Sequence, residues 1–168
     1  SISISKRVHE TVSAGRKRAF DKAEALDKAM RVFWNNGYSG TSLKDLTEAL
    51  GINKPSLYAA FGNKEQLFAA AMTHYMDEYS APVFRELTAA PHTPLNKRLE
   101  AFLFGIIDNV SCPDSPKGCL FVRSSCESGG AVLPRETTES LLNMGLESEL
   151  ALTHVMEAER ERGELTTD

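Results

Sequence analysis

Apolar residues along this chain recur at helical spacing, and nowhere do they alternate with polar ones for long enough to predict a strand. Leu26, Ala29, Met30 and Phe33 stand at i, i+3, i+4 and i+7, which predicts a helix from about Asp21 to Asn36 stopped by Gly37. A second, short helix is predicted over Leu43 to Leu50. Ser42 is its N-cap, Asp45 the acidic half of a capping box, and Gly51 its end. A third runs from about Lys54 to Phe61, started near Asn53 with Pro55 in its first turn and closed by Gly62. Asn63 and Gln66 cap a longer fourth helix, expected over Lys64 to Tyr79, with Phe68, Ala71, Met72, Tyr75 and Tyr79 on one side.

Pro82, Pro91 and Pro94 are then expected to punctuate the chain. Leu95, Leu99, Phe102, Ile106 and Val110 mark a fifth helix, and 112–118, with Pro113 and Pro116, reads as a loop. A short element over Cys119 to Glu127 is broken by Ser128-Gly129-Gly130. The last helix, from about Arg135 to Arg162, is apolar on two sides. Leu141, Leu152 and Val155 lie on one, and Leu142, Leu146 and Leu150 on the other. A helix with two such stripes must be covered from both directions. The expected class is therefore all-α. A polar, basic tail over 1–19 precedes a three-helix unit over 20–65, and a helical bundle over 66–168 follows.

Composition adds less than the distribution of charge. The 168 residues are 42% hydrophobic and 25% charged, which is ordinary for a globular chain. The formal net charge of -4 argues weakly against nucleic acid. Residues 1–64, however, carry eleven Lys and Arg against six Asp and Glu, and 65–168 carry eight against seventeen. A basic first third joined to an acidic remainder suits one part that meets phosphates and another that does not. The longest apolar run, Leu67 to Met72, is far short of the ~20 residues of a membrane span. There is no secretory-type apolar segment near the start. The chain begins at Ser1 rather than Met, which suggests an incomplete N-terminus. Three cysteines, Cys112, Cys119 and Cys126, are too few for a disulfide framework, so a reducing cytoplasm is expected.

Two short helices joined by a Gly-containing turn and braced by a longer one form a helix-turn-helix. Phe33, Gly37, Tyr38, Thr41-Ser42, Leu46, Leu50-Gly51-Ile52, Ser56-Leu57-Tyr58, Phe61 and Lys64-Glu65-Gln66-Leu67 stand at spacings that resemble the TetR family of bacterial transcriptional regulators. The match is dense from about Ala25 to Ala70. Leu46, Leu50, Ile52 and Leu57 are expected to be core, with Phe33 and Phe61 bracing them. The exposed candidates for contact with DNA are Lys54, Ser56, Tyr58 and Ala59, with Asn53 at the helix start. The resemblance implies that Thr41, Ser42, Lys44, Tyr58 and Lys64 hold the phosphate backbone, a task suited to hydroxyl and ammonium groups. The third helix has no Arg, Gln or Glu. Base preference is therefore expected to lean on thymine-methyl contact from Ala59 or Ala60, or on DNA shape. Arg16-Lys17-Arg18 could lie along phosphates or in a minor groove, or form a solvated leader.

The resemblance further implies that the helical remainder binds a small molecule and forms a homodimer. Phe102, Ile106, Phe121, Ser125, Met144 and His154 are the candidates for a pocket between helices, each with an ordinary core or surface role as the alternative. Leu146 and Leu150 are the interface candidates, against plain intrachain core. The fourth helix, touching both parts, is the expected coupling element. The family usually continues past this point with another long helix, whereas this chain stops at Asp168. The cysteines, spaced seven apart, lack a tight C-x2-C pair, so no metal is assigned; Cys119 and Cys126 could share a helix face near Arg123, and inert thiols are the simpler reading. No nucleophile, phosphate-loop or zinc motif appears, and His9, His74, His92 and His154 are scattered, so neither an enzyme nor a cofactor is expected. The expectation is a ligand-responsive regulator, most simply a repressor released from a palindromic double-stranded operator by a small-molecule effector. A helical small-molecule-binding or interaction protein that does not use its helix-turn-helix on DNA is the alternative.

Overall fold

The first four helices of this protein begin where a side chain takes over backbone N–H groups that no preceding turn can bind. In the computed structural model, which describes residues 21–88, 92–128, 133–163 and 165, Asp21 accepts from the N–H groups of Ala23 (3.0 Å) and Glu24 (3.3 Å) and opens α1 (Lys22–Asn36). The Ser42–Asp45 capping box opens α2 (Leu43–Leu50), and Asn53 opens α3 (Lys54–Phe61). A second box, Asn63 with Gln66, opens α4 (Lys64–Tyr75). All regular structure among the described residues is helical. The basic tail with Arg16-Lys17-Arg18, the proline at 91 and the break at Gly129-Gly130 lie outside the described residues.

One expected boundary is corrected. Pro82 does not end a helix at Tyr79. The chain widens into a π turn over Met76–Ser80, where the N–H of Ala81 reaches back to the carbonyl of Met76, and continues as α5 (Ala81–Thr88). A widened turn accommodates a ring that lacks an N–H, so the proline sits inside a helical run from Lys64 to Thr88. α6 (Leu95–Ser111), α7 (Leu120–Ser128) and α8 (Arg135–Glu161) complete the order.

The main core joins α1, α2, α3 and α4 to α7 and the start of α8. Phe33, Trp34, Leu46, Leu57, Phe68, Met72 and Leu120 are all buried, with Leu133 and Leu141 closing one side. The apolar core thus runs across residue 65 rather than stopping there. A smaller core between α5, α6 and α8 gathers Val83, Leu87, Leu95, Phe102 and Val155. Beside it Arg98, 4% exposed, donates to the carbonyls of Leu87 (2.6 Å) and Thr93 (3.0 Å) and pairs with Glu159, which also pairs with Arg162. Only one of the two stripes of α8 is covered: Leu141 and Val155 are buried, while Leu142, Leu146 and Leu150 are 61%, 56% and 65% exposed, so they are not intrachain core.

Candidate nucleic-acid interface and the cleft beside it

Gly51 sets the angle between α2 and α3. At φ 67° and ψ 30° it adopts the left-handed conformation that costs glycine least, and its N–H and that of Ile52 return to the carbonyls of Glu48 and Thr47. Leu46, Leu50 and Leu57 pack beneath the turn, and Ile52 is half-buried against them. This leaves one side of α3 in solvent. Asn53, Lys54, Ser56, Tyr58 and Ala59 are all exposed, together with Pro55.

Around that face the candidate phosphate ligands divide. Ser42 is exposed; its Oγ accepts from the N–H of Asp45 (3.1 Å), and Asp45 accepts from the N–H of Ser42 (2.7 Å). Hydrogen bonds from Ser42 hold the Asp45 carboxyl below the usual carboxylate range. Lys44 is exposed, 3.7 Å from Glu48. Lys64 is half-buried, its Nζ 4.1 Å above the ring of Tyr38, and burial lowers its pKa against the opposing fields of Glu127 and Asp45. Thr41 is a correction. It is 2% exposed and its hydroxyl donates to the carbonyl of Gly37 at 2.6 Å, so it braces the turn after α1 and presents no hydroxyl outward. Asn53 is partly committed too: its Oδ1 accepts from the N–H of Ser56 (2.9 Å), which leaves its amide nitrogen and not a two-point acceptor–donor fork.

A cleft of about 370 Å³ lies among α4, the π turn, α5, α6 and α7. Of the six ligand candidates it brings together Phe102, Ile106 and Phe121. The other three are corrected. Ser125 turns back on its own helix and donates to the carbonyl of Phe121 (2.9 Å), and His154 is exposed on α8. Met144 packs against the main core and borders an adjoining shallow hollow that shares Met76 and Phe84 with the cleft. The sequence reading missed Tyr75, Tyr79, Asn109 and Cys119 on the cleft wall. The Tyr75 hydroxyl donates to Cys119 Sγ (3.2 Å), and burial raises its pKa strongly, so it stays protonated. Of the other thiols, Cys112 is half-buried and Cys126 exposed. Among the described residues no group of three or more His, Cys, Asp or Glu could hold a metal ion, and no helix is long and apolar enough to cross a membrane.

Sequence reasoning also missed the attachment of α7 to the helix-turn-helix. Glu127 accepts from the N–H of Tyr38 (3.0 Å) and of Ser39 (3.3 Å), and Arg123 donates to the carbonyl of Trp34 (3.4 Å). At its other end the indole of Trp34 donates to the carbonyl of Gly118 (3.1 Å). No local pattern reports a contact between residues this far apart in the chain.

Comparison with known proteins agrees with this arrangement. Residues 25–71 match the family model described as "Bacterial regulatory proteins, tetR family". The HTH-type transcriptional repressor ComR of Escherichia coli (strain K12) is 39% identical over 112 residues, covering 67% of this chain and 53% of that protein. The HTH-type transcriptional regulator YezE of Bacillus subtilis (strain 168) is 36% identical over 113 residues, covering 67% and 57%. The chain spans about half the length of these curated relatives. A cysteine-substituted form of the TetR family transcriptional regulator CifR, solved in complex with 26-base-pair double-strand operator DNA, superimposes with a TM-score of 0.76 at 35% identity, covering 91% of this chain and 78% of that one.

Proposed function

This chain belongs to the TetR family of bacterial regulatory proteins, and on that premise we propose that it is a transcriptional repressor that binds double-stranded operator DNA through α3 and is released by a small molecule held in the α4–α7 cleft. The observation that carries the DNA reading is the exposed face of α3, flanked by the exposed Ser42 and Lys44 at the start of α2 and by Lys64 at the start of α4. Helix N-termini favour phosphate, and the cations at the starts of α2 and α4 add sequence-independent attraction. Ser42, Lys44, Tyr58 and Lys64 hold the backbone in this reading. Lys54, Ser56 and Ala59 meet base edges, with Asn53 adding a single donor.

An effector for the cleft is a largely apolar small molecule with one or two polar groups, set against Phe102, Ile106 and Phe121 and within reach of Tyr75 and Asn109. It must bind the DNA-free conformation better than the DNA-bound one, since equal affinity shifts nothing. The helical run from Lys64 through the π turn touches both the α3 surface and the cleft, which makes it the coupling element. The exposed stripe of Leu142, Leu146 and Leu150 supports a homodimer across α8, and a two-fold dimer calls for a palindromic operator. Selection of bound duplexes from a random pool tests the whole reading. Enrichment of a palindrome is expected. Failure to enrich any duplex would favour a helical small-molecule-binding or interaction protein instead.

A further inference from the structure

We propose that Glu127 is a positioning residue for DNA binding: from α7 its carboxylate holds the turn between α1 and α2, and with it the placement of α2 and Lys64 against phosphate. The proposal rests on the DNA-binding reading above. One carboxylate oxygen accepts from two consecutive backbone N–H groups, Tyr38 at 3.0 Å and Ser39 at 3.3 Å, and from the Ser39 hydroxyl at 3.3 Å. Gly37 makes room for it. A methyl group at residue 37 would lie 1.8 Å from Glu127 Oε1, and its φ of 74° already disfavours a side chain. The carboxylate therefore occupies the volume that a side chain at residue 37 would take.

What Glu127 holds is what Lys64 rests on. The Tyr38 ring stacks on Phe33 (6.4 Å), meets Phe68 edge-on (5.1 Å), and carries Lys64 Nζ over its face at 4.1 Å. Beyond this turn Thr41 and the Ser42 cap lead directly into α2, and the Thr41 N–H donates to the Tyr38 carbonyl at 3.3 Å. A shift of Tyr38 would therefore move both the start of α2 and the lysine at the start of α4. Arg123, one turn earlier on α7, adds its bond to the Trp34 carbonyl at the end of α1. The same helix carries Phe121 and Val122 on the wall of the cleft, so the element that fixes the turn also meets whatever occupies that space.

The sign of the effect separates this role from that of a bystander. A carboxylate near a phosphate-binding surface repels DNA, so removing a bystander would strengthen binding. Removing a positioning group weakens it. Using the whole chain and a duplex enriched from a random pool by the unsubstituted protein, Glu127→Ala is expected to weaken binding about tenfold, and Glu127→Gln, which keeps an acceptor but no charge, clearly less. The backbone amides of Tyr38 and Ser39 should exchange faster in the alanine variant while amides of the main core keep their protection. Alanine binding as tightly as, or more tightly than, the unsubstituted protein would overturn the proposal. So would equal losses in the two variants, or protection lost throughout the core. If the unsubstituted protein enriches no duplex, the DNA-binding reading fails and this role falls with it. Enrichment followed by a failed Glu127→Ala result removes the positioning role alone.

Discussion

The two cores of this molecule are held by different means. Around α1, aromatic and aliphatic side chains fill space from every side: Phe33 and Trp34 are almost wholly buried, and Trp34 meets Tyr75 and Tyr79 edge-on at 4.9 and 5.0 Å. Around α6 the apolar core is small, and the loop before the helix is fastened by Arg98 through two carbonyls and Glu159. Outward from it, Leu103, Phe104 and Ile107 are 56%, 58% and 53% exposed. The first region is complete by itself and can hold a recognition surface in fixed geometry. The second presents apolar surface to solvent, as expected of a part that meets a ligand or another protein surface.

The largest effect that could break this contrast is in the first core. Trp34→Ala should cost about 3–5 kcal/mol, enough to unfold a marginal domain, because it empties a buried indole's volume from the packing against Tyr75 and Tyr79. Arg98→Ala should cost about 3 kcal/mol by orphaning the Leu87 and Thr93 carbonyls and leaving Glu159 without its main partner. The sharper measurement is the double replacement of Arg98 and Glu159 by methionine, expected to recover most of that loss in a denaturant titration. If Trp34→Ala were as mild as an ordinary surface change, the first core would not be the self-sufficient unit described.

Next in size is the proposed association through α8. Leu146→Glu with Leu150→Glu places two charges on the exposed stripe and should yield a folded monomer by sedimentation at micromolar concentration, with operator affinity reduced because each half-site is then bound alone. An unchanged dimer would move the interface elsewhere. Smaller still are the phosphate contacts. Lys44→Ala and Lys64→Ala should each lower the slope of log affinity against log salt by roughly 0.9 and leave sequence preference intact, whereas Ser56→Ala should shift preference and leave the slope. A preserved slope for Lys64→Ala would mean that its place over Tyr38 is structural.

Legibility in the sequence follows the range of the interaction. Caps at Asp21, Ser42, Asn53 and Asn63 act over three residues and are readable, as is the left-handed Gly51. Pro82 misled, because whether a proline ends a helix depends on whether a π turn precedes it, and packing decides that. Thr41 misled because an exposed and a buried hydroxyl look alike in sequence. The cleft was half legible: Phe102 and Ile106 follow helical spacing and Phe121 lies in a short apolar segment, but the partnership of Tyr75 with Cys119 spans 44 residues. The hold of Glu127 on Tyr38 spans 89, and only the folded chain brings those groups together.

The smallest effect concerns acid, and it asks how far the start of α2 relies on a charged cap. Asp45 is the candidate, since hydrogen bonds from Ser42 keep its folded-state pKa below the ordinary 3.8. A depressed carboxyl contributes stability that is fully present above the unfolded value and is lost as pH falls through the folded value. The unsubstituted protein should therefore lose slightly more stability than Asp45→Asn when pH falls below about 4, and the two should differ by a constant amount above about 5. The loss should be local: the Ser42 N–H, which donates to the Asp45 carboxylate, should lose protection before the amides of Phe33 and Leu46 do. Identical acid limbs for the two proteins would show that the capping box holds α2 through the Ser42 side of the pair alone.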